Sequence, residues 1–134
     1  VVPFKNSAVT NAAINLRFNN DTGNNYSFTN LVGNGTSASS FTSGANNSID
    51  SRQELLDNNI PFFYSFDIFS YAGSTYKTVL CSSSEDKNGS GSRSSTVGLW
   101  RSTSVITTIN FYSIFAGSGF AAGTTATLYG IKAA

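Results

Sequence analysis

The run Phe62-Phe63-Tyr64-Ser65-Phe66-Asp67-Ile68-Phe69-Ser70-Tyr71 decides the fold class. Its apolar residues recur at every second position, the repeat of a strand with one face against a core. Phe62, Tyr64, Phe66 and Ile68 share one face and Ser65 and Asp67 the other, as in a half-buried antiparallel strand. Phe63, Phe69 and Tyr71 fall on the second face, which an antiparallel sheet normally leaves polar. Large apolar side chains on both faces imply that the second face is covered, and the expected cover is another subunit.

Working outward, Ala72-Gly73-Ser74 reads as a tight turn into a strand over residues 75–82, so the two strands form a hairpin. Residues 83–94 contain no apolar side chain and are expected to be an exposed, mobile loop. Strands are expected over 96–101, 105–114 and 124–132, the last two divided by the small residues Ala116-Gly117-Ser118-Gly119. Upstream, residues 1–4, 12–18 and 26–32 read as strands, the latter two separated by the Asn/Gly-rich turn at 19–25. Helical character is confined to 51–57, where Ser51 stands three residues before Glu54 as in a capping box and Pro61 follows soon after. About eight short strands with one or two turns of helix describe an all-β, antiparallel sandwich of jelly-roll type. The 134 residues suffice for one such domain, spanning 1–134, and no internal repeat is visible.

Composition agrees with this reading and removes several function classes. Ser (22), Thr (14), Asn (15) and Gly (12) dominate, which is turn and strand chemistry, while eleven Phe, six Tyr and one Trp supply an aromatic core. Charged residues are 11% of the chain and its net charge is +1, so neither the high charge of a disordered chain nor a basic stripe for nucleic acid is present. No apolar stretch approaches the roughly 18 residues of a membrane span, and the chain reads as soluble. The single cysteine, Cys81, makes no internal disulfide, which fits a chain made and assembled inside a cell.

The sequence has no histidine, which excludes Ser-His-Asp and Cys-His nucleophile systems and His-based metal sites. The acids Asp21, Asp50, Glu54, Asp57, Asp67, Glu85 and Asp86 are the remaining candidates for carboxylate-pair catalysis, yet most lie in turns, where solvated surface acids are the ordinary case. The expectation is a protein without catalytic residues, metal or cofactor. Asn19-Asn20-Asp21-Thr22-Gly23-Asn24 offers oxygen ligands beside a glycine but lacks the terminal bidentate acid of a calcium loop. Gly33-Asn34-Gly35 and Gly117-Ser118-Gly119 lack the strand, helix and lysine context of a nucleotide site and read as turns. Asn-x-Ser/Thr sequons at Asn25, Asn34, Asn46 and Asn88 are expected by chance in so Asn- and Ser-rich a chain. Two sets of aromatics remain. Phe63, Phe69, Tyr71 and Trp100 are candidates for a subunit or partner contact, core packing being the alternative for Trp100. Tyr71, Trp100 and Tyr112 are candidates for stacking on sugar rings.

Two blocks carry a resemblance. The segments Gly98-Leu99-Trp100-Arg101-Ser102-Thr103-Ser104-Val105-Ile106-Thr107-Thr108-Ile109 and Phe120-Ala121-Ala122-Gly123-Thr124-Thr125-Ala126-Thr127-Leu128-Tyr129-Gly130-Ile131-Lys132 resemble the ending of a group of small virion proteins of tailed bacteriophages. The Leu-Arg-Phe-Asn-x-Asp-x-Gly-x-Asn-Tyr pattern from Leu16 to Tyr26 is similar to an earlier block of the same group. The resemblance implies a jelly-roll module on the particle surface, assembled in the host cytoplasm. It would be a capsid decoration (cement) protein or part of a tail or head fibre, usually a homotrimer, with the major capsid protein or other virion subunits as partners. It implies no catalysis. Group members carry one or two further strands before the Leu16 block, where only residues 1–4 stand here, which leaves open whether upstream residues or a neighbouring chain complete the sheet. Decoration is expected ahead of a fibre because no heptads or shaft repeats extend the chain from a particle. A receptor-binding module for a host surface glycan is the alternative, and a glycoside hydrolase comes third.

Overall fold

In the computed structural model, residues 1–3, 14–51, 60, 62–113 and 119–131 are described. Among them eight strands form two antiparallel sheets, and the expected β-sandwich is the observed fold. The strands are β1 (Asn15–Phe18), β2 (Tyr26–Gly33), β3 (Ala38–Asn46), β4 (Ile49–Asp50), β5 (Phe63–Ile68), β6 (Lys77–Asp86), β7 (Gly91–Trp100) and β8 (Ile109–Tyr112). The smaller sheet has the order β4-β1-β8, and the larger β3-β2-β7-β6-β5. β1 pairs with β8 in one sheet while β2 pairs with β7 in the other, so a two-stranded ribbon passes from sheet to sheet as in jelly-roll wrapping. β5, β6 and β7 then run as a meander within the larger sheet.

Period-two alternation sets which side chains enter the sandwich. Tyr26, Phe28, Asn30 and Val32 of β2 point inward, as do Lys77, Val79, Cys81, Ser83 and Glu85 of β6. Phe62, Tyr64, Phe66 and Ile68 share the inner face, as their spacing requires, whereas Phe63, Asp67 and Phe69 are exposed. One core cluster joins Leu16, Phe18 and Ile49 of the smaller sheet to Tyr26, Phe28, Val79 and Trp100 of the larger. A second gathers Ile14, Phe62, Tyr64 and Cys81, and the rings of Phe62, Tyr64, Phe66 and Phe111 follow one another at centroid distances of 5.5, 6.0 and 5.0 Å. Gly98 lets the sheets approach, because a Cβ there would lie 2.7 Å from both Cδ1 and Cγ2 of Ile49.

Several expectations need correction. Residues 83–94 are the paired ends of β6 and β7 and not a loop, with Asp86 opposite Gly91. Asn88 and Gly89, at φ 57° and 102°, form a two-residue turn of the kind Asn-Gly favours in hairpins. The segment lacks apolar residues because its inward positions are polar: Ser83 and Ser94 pair their hydroxyls at 2.5 Å, and Glu85 meets Lys87 at 2.7 Å. β3 was not expected, since Ser and Thr dominate it and it lies at a sheet edge with nearly every residue exposed. Of the strand expected over 105–114, the described residues 105–113 form β8 alone. Of the strand expected over 124–132, the described residues make one bridge, Thr125 to Val2, and 126–131 show no ladder among the described residues. The helical turns expected at 51–57 lie, Ser51 aside, outside the described residues, as do Pro61 and Gly117-Ser118.

Candidate functional site

The Asn-rich turn after β1 is built from its own side chains. Asn19 and Asn20 adopt φ 51° and 55°, a left-handed conformation that Asn tolerates. Asp21 Oδ1 accepts from the Gly23 amide at 2.9 Å, and Oδ2 accepts from Asn25 Nδ2 at 2.9 Å and from the Trp100 indole at 2.8 Å. Burial acts to raise the Asp21 pKa, but the Trp100, Asn25 and Gly23 donors outweigh it and hold the carboxyl below its ordinary value. Both oxygens thus serve the turn expected at 19–25. The motif from Leu16 to Tyr26 is accounted for in the same terms. Leu16 and Phe18 enter the core, Asn19 accepts from the amides of Thr107 and Thr108, and the Tyr26 hydroxyl donates to the Phe18 carbonyl.

Trp100 is 2% exposed, lying against Phe18 and Tyr26 with centroids 5.4 and 6.2 Å away. It is therefore removed from both candidate sets, as a partner contact and as a sugar platform, and takes the core-packing alternative. Tyr112 is half-buried, and Arg17 covers its ring, with Cζ 4.5 Å from the centroid and a 2.8 Å hydrogen bond from Nη2 to its hydroxyl. This ring face is occupied by its own chain, so Tyr112 is also withdrawn as a stacking platform.

Phe63, Phe69 and Tyr71 are each about half exposed. Phe63 belongs to the outer face of the larger sheet, where Leu31, Leu80 and Val97 are also exposed. Leu80 and Val97 stand opposite each other on β6 and β7, flanked by Asp67 and Thr29. Next to them runs the register Leu31, Ser95, Ser82 and Ser65, so four larger apolar groups rise from a field of small hydroxyl side chains. Phe69 and Tyr71 lie at the β5–β6 turn, which Tyr76 shares. Lys77, buried and missed in the sequence reading, fixes this turn: its Nζ donates to the carbonyls of Gly73 at 2.7 Å and Thr75 at 2.5 Å. The Tyr71 carbonyl accepts from the Ile106 amide at 2.9 Å, which fixes the backbone that carries the exposed ring.

The C-terminal segment is a further surface that a strand assignment concealed. After the Thr125 bridge, Leu128, Tyr129 and Ile131 are 79%, 84% and 87% exposed. Three large apolar groups within four residues, left in water on a backbone with no ladder partner among the described residues, are a surface that burial in a partner would stabilise. Among the described residues no group of three or more His, Cys, Asp or Glu side chains could hold a metal ion, and no helix is long and apolar enough to cross a membrane.

The fold and these surfaces define a class, an antiparallel β-sandwich with an outer face of mixed polarity and an exposed apolar segment at 128–131. Compared with protein-family models, curated proteins and solved structures, the chain finds no match.

Proposed function

We propose that this protein is a structural subunit of a phage particle surface, a capsid decoration protein that stabilises the head. The observation that carries the reading is the exposed apolar segment of Leu128, Tyr129 and Ile131. Its near-complete exposure suits an arm that packs on a neighbouring copy or on the capsid. The outer sheet face, with Leu31, Phe63, Leu80 and Val97 among Ser and Thr, suits a broad contact of mixed polarity. Such an interface needs area and complementarity more than a catalytic pocket. The resemblance of the Leu16 and Gly98 blocks to small phage virion proteins points the same way, and implies a homotrimer with the major capsid protein as partner. A trimer gains avidity when three weak capsid contacts form together.

One observation favours a second reading, a receptor-binding module of a tail or head fibre. Phe69, Tyr71 and Tyr76 stand half exposed around a single braced turn, an arrangement suited to stacking on a host glycan. Sedimenting purified particles or emptied heads with added protein, then counting bound copies, separates the two. Copies in proportion to the capsid lattice support decoration. A few copies confined to tails support the fibre reading, and binding to neither overturns the proposal.

A further inference from the structure

The dipeptide Asn-Gly occurs at Asn34-Gly35 and at Asn88-Gly89, and both copies lie in exposed turns. A glycine carries no side chain to keep its backbone nitrogen away from the carbonyl carbon of the preceding asparagine side chain. In the first copy that side chain is held. Asn34 Oδ1 accepts from the amides of Thr36 and Ser37 at 3.0 and 2.9 Å and from their hydroxyls at 2.9 and 3.3 Å. In the second copy the hydrogen bond comes from the backbone: the Asn88 amide donates to Asp86 Oδ1 at 2.7 Å. The Asn88 side chain and the Gly89 amide make no hydrogen bond among the described residues, and a Cβ at Gly89 would meet nothing within 4 Å.

We propose that Asn88 is a site of spontaneous deamidation in the folded protein and that Asn34, in the same dipeptide, is protected by its turn. The Gly89 nitrogen bonds to Asn88 Cγ and gives up its proton to hydroxide or water. The Cγ–Nδ2 bond breaks, and the side-chain nitrogen leaves as ammonia. Water then opens either carbon–nitrogen bond of the cyclic imide, which leaves aspartate or isoaspartate at position 88, and nothing is oxidised or reduced. At Asn34 the same step must turn Cγ away from four donors. Giving up even two hydrogen bonds on the way to the reactive rotamer slows a reaction by about tenfold or more. The products alter the tip of the β6–β7 hairpin. Either one adds a negative charge beside Glu85 and Asp86. Isoaspartate also lengthens the main chain of a two-residue turn that the Lys87 amide closes on the Ser90 carbonyl. The inference is independent of the particle reading, which rests on other surfaces.

The test is to age the full chain at neutral and mildly alkaline pH, digest it, and follow both peptides by mass spectrometry and isoaspartate detection. The Asn88 peptide is expected to gain the mass of an amide-to-acid conversion, faster at the higher pH, and to yield isoaspartate. The Asn34 peptide is expected to convert at least about tenfold more slowly, on the scale of the hydrogen bonds that hold it. In denaturant the hold on Asn34 is gone, and the two sites are expected to convert at similar rates. Asn88→Gly keeps a residue that tolerates the φ of 57° and is expected to abolish the acidic product while retaining the near-ultraviolet circular dichroism of the parent. No conversion at Asn88 in the folded chain, conversion of Asn34 at an equal or greater rate there, or the same difference between the sites in denaturant overturns the proposal.

Discussion

The indole N–H of Trp100 donates to the Asp21 carboxylate at 2.8 Å, tying the last residue of β7 to the turn that follows β1. This contact joins two segments 79 residues apart, at the point where the chain crosses between sheets. Asp21→Ala leaves a buried donor without its acceptor and is expected to cost about 1–3 kcal/mol. Urea denaturation measures the loss, and the near-ultraviolet circular dichroism of the single tryptophan reports it locally.

The same carboxylate gives the stability a pH dependence. Its folded pKa lies below its unfolded value, so between the two the unfolded chain binds more protons and stability rises with pH. The contribution is complete above the ordinary carboxylate pKa of about 4 and is lost as pH falls through the folded value. Unfolding midpoints measured across this acid range are expected to fall less steeply in Asp21→Asn than in the parent chain.

Gly98 and Ile49 set the spacing between sheets. Gly98→Ala places a methyl against the Ile49 side chain and is expected to destabilise by about 1–3 kcal/mol through overpacking. Combining it with Ile49→Ala makes room for that methyl. The double variant is therefore expected to be more stable than the sum of the two single losses implies, a coupling that a double-mutant cycle reads directly.

Cys81 lies 2% exposed within the second core cluster, and burial pushes its thiol up to about 12. Because the thiolate is the reactive form, a disulfide reagent at mildly alkaline pH is expected to label native protein far more slowly than protein in denaturant. Equal rates would place Cys81 at the surface.

The sequence made the sandwich legible wherever strands were amphipathic. Phe62 to Ile68 alternate as a half-buried strand must, and their inward set is the one their spacing assigns. Where strands carry Ser on both faces the signal vanished. β3 and the ends of β6 and β7 are held by backbone ladders and hydroxyl pairs, which hydrophobic alternation does not report. The Asn88-Gly89 turn was a usable clue to the missed hairpin. Trp100 and Tyr112 could not be placed from sequence, because Asp21 and Arg17, which occupy them, lie 79 and 95 residues away. The segment at 124–131 misled in the opposite direction, since among the described residues its strand-like apolar pattern makes no ladder beyond the Thr125 to Val2 bridge.

The most direct test of the account is the mass of the purified chain in sedimentation equilibrium at micromolar concentration, compared with the combined Leu128→Ser, Tyr129→Ser and Ile131→Ser variant. The parent is expected to sediment as an oligomer, with a trimer as the implied state, and the variant as a monomer that keeps the near-ultraviolet circular dichroism of the folded parent. A parent chain that remains monomeric and does not bind heads, or a variant that assembles as the parent does, would contradict the assignment of the terminal segment to assembly.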